Sequence, residues 1–476
     1  MTILVLDLGS SSVRALLFDH QANLLGQAAQ SHRFTTTPLG ASTLDAVDLQ
    51  TRVEACVDEI LRHPLAVDIR AVAVDTFVGN LLGVDSSNQP LTPIYTYADM
   101  RSVNDVAVLA RQIDLETTHQ RTGCLLHTAY QPSRFHWLRR TEPELFASVK
   151  QWIDVGTYLY RQWFGTSPCS YSVASWSGML NRATLNWDDQ WLELLKLPKS
   201  ALPPLADYDQ PCSGLLPLYT AHWQPLRDIP FFLAVGDGAA ANVGSGCVGQ
   251  GQIALSLGTT AALRVVSDTK LPPVPPGLWA YRITADLHLI GGATSEGGAI
   301  FEWVANTLQL PADVELQLAQ RAPDNHGLTF LPLLAGERSP GWATYATGTV
   351  HGLRLSTTPV DILQAALEGV ALRLSLIAEQ LDQGSSPVIA SGGALRASPA
   401  WQQMVADALN RPVQIAGEGE ITARGTAVLA LAALEKRSLS DFSPAITDTI
   451  TPQPEGVELL RAARDRQQAL YRQFYA

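Results

Sequence analysis

Two hydroxyl-rich turns between apolar runs are the first places where the chain could hold phosphate oxygens. Ile3 to Leu8, interrupted by Asp7, meets Gly9-Ser10-Ser11-Ser12 and continues into Val13 to Phe18. This spacing predicts a buried strand, a tight turn and a returning strand. The turn's N–H and O–H groups can donate to phosphate oxygens, Asp7 can reach a divalent cation through water, and Arg14 can face the same phosphates. Downstream, Ile253 to Leu257, Gly258-Thr259-Thr260 and Ala261 to Val266 repeat the design. Between them, Phe231 to Val235 leads into Gly236-Asp237-Gly238-Ala239-Ala240, a carboxylate at a strand end and helix start with glycines that permit close ligand approach. Asp237 there suits a general base that accepts a hydroxyl proton. Val388 to Ser391 ends at Gly392-Gly393-Ala394, where bare backbone can pack against an adenine or ribose. Each segment also has a plain structural reading: Asp7 starts a turn, Asp237 caps a helix, and a single Gly-Thr-Thr is commonplace. The G-x-x-x-x-G-K-[ST] loop is absent, so phosphate binding by a P-loop is excluded.

The elements that must position these residues alternate between strand and helix in both halves, which indicates an α/β protein. The match of Leu8-Gly9-Ser10-Ser11 to Leu257-Gly258-Thr259-Thr260 predicts two domains of similar design with a boundary between Gly244 and Gln252, where glycines cluster. The expected division is 1–247, 248–440 and a C-terminal helical extension, 441–476. Thr358-Pro359-Val360-Asp361 reads as a capping box opening a helix over Ile362 to Leu381 that stops at Gly384. Ser398-Pro399 starts another, with Trp401, Met404, Val405, Ala408 and Leu409 on one face. Ala299 to Leu308 is amphipathic, and Trp303 on it reads as core.

Composition narrows the function classes. A chain of 476 residues exceeds what one core usually organises. Its 33 basic and 45 acidic residues give a charge of −12, with no basic run to meet nucleic acid or anionic lipid. The five cysteines are scattered and lack metal-ligand spacing, so a reducing cytoplasm is expected and zinc is not. No targeting or membrane-spanning segment is read, and His127 and His136, near aromatics, read as structural. A homodimer is the default expectation for assembly.

Taken in order, these segments resemble the FGGY carbohydrate kinases over about residues 1 to 435. Asp7-x-Gly9-Ser10-Ser11-Ser12-x-Arg14 resembles the family's first phosphate motif and Ser256-Leu257-Gly258-Thr259-Thr260 its second. Ala390-Ser391-Gly392-Gly393-Ala394, with Trp401-Gln402 and Ala406-Asp407, resembles its adenosine motif, and Gly236-Asp237-Gly238 its catalytic-base segment. Gly348-x-Val350-x-Gly352-Leu353, then Asp361-Ile362-x-x-Ala365-Ala366-Leu367-Glu368 after seven residues, is similar to its C-terminal signature throughout. The resemblance implies two actin-like, ribonuclease-H-like domains around an interdomain catalytic cleft, with ATP and Mg²⁺ as cofactors. It implies nucleotide contacts at Gly9, Ser10, Ser11, Ser12, Arg14, Gly258, Thr259, Thr260, Gly298, Gly392, Gly393 and Ala394, metal contacts at Asp7 and Asp237, and substrate contacts at Asp237 and Gly238.

Within the family the likeness is nearest to the gluconate kinases, through Tyr171-Ser172-Val173-Ala174-Ser175-Trp176-Ser177-Gly178 and Gly336-Glu337-Arg338-Ser339-Pro340-Gly341-Trp342. Thr96-Tyr97-Ala98-Asp99-Met100-Arg101 matches the substrate-loop pattern and adds Asp99 and Arg101 to the sugar site. The implied substrate is a small sugar or sugar acid, gluconate first; a pentulose kinase and a non-kinase actin-like ATPase are the alternatives. Two departures stand out. Arg134 replaces a lysine in the N-terminal signature, and Thr76-Phe77-Val78-Gly79-Asn80 stands where Met-His is usual, so a sugar-contacting histidine is missing.

Overall fold

The computed structural model describes residues 1–475 apart from positions 250, 382, 383, 385 and 418. Two sheets carry the molecule. The first runs, edge to edge, Val235–Gly236, Ile69–Thr76, Thr2–Leu8, Ser12–Phe18 and Leu24–Ser31. The second runs Trp279–Arg282, His288–Thr294, Ala261–Ser267, Ile253–Leu257, Val388–Ser391, Val413–Ala416 and Ile446–Ile450. In each, a first strand pairs antiparallel with the next in sequence and parallel with a strand arriving after a long crossover. This is the duplicated α/β design expected from the two matching turns.

Burial explains why the central strands read as unbroken apolar runs. Every residue of Thr2–Leu8 is buried, because the helix Ile421–Glu435 packs on this part of the sheet while Ala46–Ile60 packs on the neighbouring strands. In the second half the helix Pro359–Leu381 lies along Ala261–Ser267 and His288–Thr294 with Leu363, Leu367, Val370 and Leu374 fully buried, each contributing about 2 kcal/mol. The predicted capping box opens it: Thr358 N–H donates to Asp361 Oδ2 at 2.7 Å and Asp361 N–H to Thr358 Oγ1 at 3.3 Å. The predicted stop at Gly384 follows two residues outside those described. The second expected helix forms as Pro399–Leu409, with Ser398 accepting from Trp401 N–H.

Three expectations change. The segment 441–476 contains a strand, Ile446–Ile450, on the edge of the second sheet before its helix, Pro454–Tyr475. Trp303 is 38% exposed, its ring edge-on to that of Phe330, and is not core. The strand predicted over Phe231 to Val235 shrinks to Val235–Gly236, with Phe231 making isolated bridges to Val72 and Cys212.

One contact fixes the two halves around the site. The helices Asp237–Gly244 and Ile421–Glu435 pack at glycines: a Cβ on Gly244 would lie 1.9 Å from the Ile421 carbonyl oxygen, and one on Gly425 1.8 Å from that of Ala240. Neither position accepts even a methyl group without moving a backbone.

Candidate active site

Strand register gathers three carboxylates at one end of the first sheet. Asp7 and Asp75 are partners in parallel strands, Val235 lies beside Asp75, and Asp237 follows two residues later. Asp75, absent from the sequence expectations, is fully buried; its Oδ2 accepts from Thr426 Oγ1 at 2.7 Å, and its Oδ1 meets no donor. Burial, then the charge of Asp7, pushes its carboxyl well above the usual carboxylate range. Gly236, not Asp237, is the N-cap of Asp237–Gly244, which removes the capping role as an explanation for this aspartate. Its Oδ1 accepts the Gly238 N–H at 2.7 Å. Burial raises Asp237 to about 6, opposed by that N–H and by the charge of Arg264. A carboxylate poised there accepts a proton near neutrality.

The first turn places Ser10 and Ser11 in solvent at its tip, while Gly9 N–H closes it onto the Ser12 carbonyl at 3.0 Å. Arg14, expected to face the phosphates, stands beside the turn in an ion-pair network. Its Nε donates to Asp7 Oδ2 at 3.0 Å, and its two terminal nitrogens contact Asp7 and Glu420, so two carboxylates hold it beside the turn.

The nucleotide-side residues of the second half converge. Thr259 and Thr260 are exposed at the tip; Gly297 N–H donates to Thr259 O at 2.9 Å and Gly298 N–H to Gly258 O at 2.6 Å. A Cβ on Gly298 would lie 2.6 Å from that of Ala394. Gly392, at φ +113°, passes so close to Leu257 that a Cβ would lie 2.2 Å from its carbonyl oxygen, whereas Gly393 faces open space. Thus Gly298 and Gly392 pack the segments of Gly258 and Ala394 closely together, while Gly258 and Gly393 leave open backbone against which a planar base and its phosphates can lie.

On the sugar side, Asp99 is buried and already occupied. Ser42 N–H donates to its Oδ2 at 3.0 Å, and Arg101 meets both oxygens, at 2.6 Å through Nη2, while its guanidinium stacks on Trp137 at 4.5 Å. Arg134, the signature departure, is a buried tie that donates to the carbonyls of Gly79 at 3.0 Å, Thr96 at 2.8 Å and Thr128 at 3.2 Å. It fastens together the segment lacking the histidine and the loop bearing Asp99.

Four further residues, outside the expected site, connect to Asp237 or to its neighbours. Arg264 reaches across from the second sheet, its Nη2 3.5 Å from where a Gly238 Cβ would lie, and it donates to Ser256 Oγ at 3.1 Å. Trp176 packs on Gly236 and Gly238 and stacks on Tyr281 at 3.6 Å. Arg338 is close enough for its charge to act on Asp237, Arg264 and His127. His127 is therefore not remote from the site: burial, then Arg338, lowers it to about 4 and keeps it neutral, and its ring lies 5.2 Å from that of Trp342. The Arg338 loop is anchored by Glu337, which contacts Arg373 and accepts from the Tyr471 hydroxyl at 2.6 Å. A lone arginine in a strand pattern, or one inside a loop motif, gives no local sign of what it faces.

Other groupings carry structure. Asp324, His326 and Glu368 have metal-ligand composition, but Glu368 accepts from His326 Nε2 and Asp324 N–H, and Arg466 pairs with Asp324. Asp361, also in the C-terminal signature, pairs with Arg321. Among the described residues the five cysteines are free thiols and no helix is long and apolar enough to cross a membrane.

Similarity to known proteins agrees with this geometry. Residues 2–244 match the N-terminal domain and residues 253–434 the C-terminal domain described as the FGGY family of carbohydrate kinases. The chain is 27% identical to a gluconokinase of Bacillus subtilis (strain 168), covering 94% of this chain and 90% of that one. It is likewise 27% identical to a xylulose kinase of Escherichia coli (strain K12), covering 92% of each. Crystal structures of a gluconate kinase and a ligand-bound xylulose kinase from Lactobacillus acidophilus superpose with TM-scores of 0.92, at 24% identity and over 100% of this chain and 99% and 98% of theirs. The chain belongs to the FGGY family of carbohydrate kinases, and is a phosphotransferase acting on a small sugar or sugar acid.

Proposed function

We propose that the enzyme transfers the γ-phosphoryl group of ATP to the terminal hydroxyl of an acyclic sugar acid, with gluconate the first substrate to test. The observation that carries this reading is Asp237, poised at about 6 within the charge of Arg264 and Arg338, with Arg264 of the second sheet beside its neighbour Gly238. Asp237 accepts the hydroxyl proton as the oxygen attacks phosphorus. Backbone N–H and hydroxyl groups of Gly9 to Ser12 and Gly258 to Thr260 hold the phosphates from both sides, and Gly298 with Gly392 to Ala394 receives the adenosine. Asp7 and Asp237 fit a hard divalent cation: carboxylate oxygens are its usual donors, and buried Asp75, whose carboxyl is raised beside them, lies next to Asp7 in the parallel register. Mg²⁺ bound there would neutralise phosphate charge. The division into residues 1–247 and 248–440 places sugar and base in the first part and adenosine in the second.

The named gluconokinase relative favours the acid; the named xylulose kinase favours a neutral ketose as the second reading. A coupled ADP-release screen over gluconate, other aldonates, xylulose, ribulose and polyols decides. Turnover of gluconate above the ketoses supports the first reading, and turnover of ketoses alone removes it.

A further inference from the structure

An acid substrate needs a cation in the pocket, and Arg101 is poorly placed to supply one. Its guanidinium is already spent on both oxygens of buried Asp99 and stacked on Trp137. Arg264 and Arg338 are different. Among the described residues neither has a carboxylate within ion-pair distance; Arg264 meets only the Ser256 hydroxyl, and its buried Nε has no acceptor. Burial, and to a smaller extent the charge of Arg338, lowers the Arg264 guanidinium against the opposing charge of Asp237, and an anion bound at Arg264 would stabilise it. The walls suit an extended polyol: the Trp176 face, the Tyr130 and Tyr281 hydroxyls 2.6 Å apart, and neutral His127, whose Nδ1 accepts from Ala129 N–H at 3.1 Å so that Nε2 bears the proton.

Position along the strand separates this cation from the phosphates. Arg264 bonds at the level of Ser256, two residues before Gly258 and hence roughly 7 Å below the turn that cradles phosphate. That offset leaves the guanidinium clear of the turn and open to an anionic group of the substrate.

We infer that Arg264, backed by Arg338, binds the carboxylate of the sugar acid at the end of the substrate opposite the hydroxyl presented to Asp237. The assignment rests on the sugar-acid reading above and names the residues that select the acid. Arg264 is thereby a specificity-determining residue contributed by the second sheet to a pocket otherwise walled largely by the first half of the chain. Substrate binding then draws the two halves together through a charge pair as well as through the nucleotide.

The test compares gluconate with glucitol, the same chain with a hydroxymethyl group in place of the carboxylate, using the full-length enzyme. For Arg264→Met the ratio of kcat/KM for gluconate to that for glucitol should fall by roughly fiftyfold or more, for Arg264→Lys by roughly tenfold, and for Arg338→Met by an intermediate factor. Calorimetric gluconate binding without nucleotide should weaken in parallel and more steeply at low salt. If Arg264→Met misfolds, the Lys variant decides, since it keeps the charge and loses only the fork. Equal losses on both substrates would overturn the inference and make Arg264 a positioning residue for Asp237 or for phosphate. A wild-type enzyme that phosphorylates gluconate, with the ratio unmoved in the variants, removes this subsite alone; no turnover of any sugar acid removes the subsite and the substrate reading together.

Discussion

The two hydroxyl-rich turns occupy equivalent places in the two sheets yet differ in the partners of the arginine beside each. In the first, Asp7 lies opposite Arg14, and Glu420 adds a second carboxylate to that arginine. In the second, the same slot holds Ser256 opposite Ala262, and an arginine from two residues further along, Arg264, reaches back to the serine. Two turns of related design, of four and three residues, thus stand beside an arginine that is ion-paired in one half and one that has no carboxylate within ion-pair distance among the described residues in the other. On the roles proposed above, the flanking residues divide the labour: metal and phosphate on the Asp7 side, substrate charge on the Arg264 side.

The largest predicted effect lies where the two halves meet. Asp237→Asn should lower kcat at least about a hundredfold, because the proton acceptor is lost while the turns remain. In the wild type kcat/KM should rise with pH through about 6 as Asp237 ionises. Stability runs the other way. A carboxyl raised from 3.8 to about 6 on folding favours the folded state at low pH and loses that contribution as pH climbs between those values. The Asn variant should therefore be more stable than the wild type at pH 8, by roughly 2 kcal/mol, with the gap closing toward pH 4. An unchanged kcat, read by ADP release, would return Asp237 to a structural role.

Next in size is a substitution that erases the difference between the turns. Ser256→Asp gives Arg264 the partner that Arg14 already has. Gluconate kcat/KM should fall by about tenfold and glucitol much less, since the new carboxylate occupies the guanidinium without touching the base. If both substrates respond alike, the contrast between the slots has no bearing on substrate choice.

What the sequence disclosed follows the same division. Turn chemistry and capping are local, so Gly9 to Ser12, Gly258 to Thr260 and the Thr358–Asp361 box were legible from neighbouring residues alone. Asp75 was not: a lone aspartate before Thr76 becomes part of a cluster only through parallel register with Asp7, 68 positions away in the chain. Arg264 hides in the apolar strand Ala261–Ser267, and Arg338 was visible within a motif but without its neighbours. The loop pattern pointed to Asp99 and Arg101, yet contact with Ser42 and Trp137 shows that pair satisfying itself. Trp303 failed as core because the amphipathic period locates a helix face without saying how far that face is covered.

The two glycines at the adenosine surface separate occlusion from strain. Leu at Gly393 enters open space, so the fold should persist while the KM for ATP rises about tenfold and sugar binding changes little. Ala at Gly392 must adopt φ +113° with its Cβ 2.2 Å from the Leu257 carbonyl oxygen, which should destabilise the protein by on the order of 2–4 kcal/mol. A thermal melt and an ATP titration of each variant distinguish the outcomes. Should Gly393→Leu shift the sugar KM instead, the orientation of the two substrates is reversed.

The smallest effect concerns the charge pair that makes the first turn unlike the second. Arg14 is 27% exposed and Glu420 32%, so their interaction is partly screened and its loss should change stability by less than about 1 kcal/mol. Glu420→Gln nonetheless removes one of the two carboxylates on Arg14 and leaves a more positive field beside Ser10 and Ser11. The KM for ATP should fall by about twofold at low ionic strength, and the advantage should fade as salt shortens the screening length to about 3 Å at 1 M. A rise in KM, or a shift indifferent to salt, would instead mean that Glu420 and Arg14 serve to fix the start of the helix Ile421–Glu435 against the first sheet. The neutralised arginine would then be a structural tie, and only the second turn would use its arginine for binding.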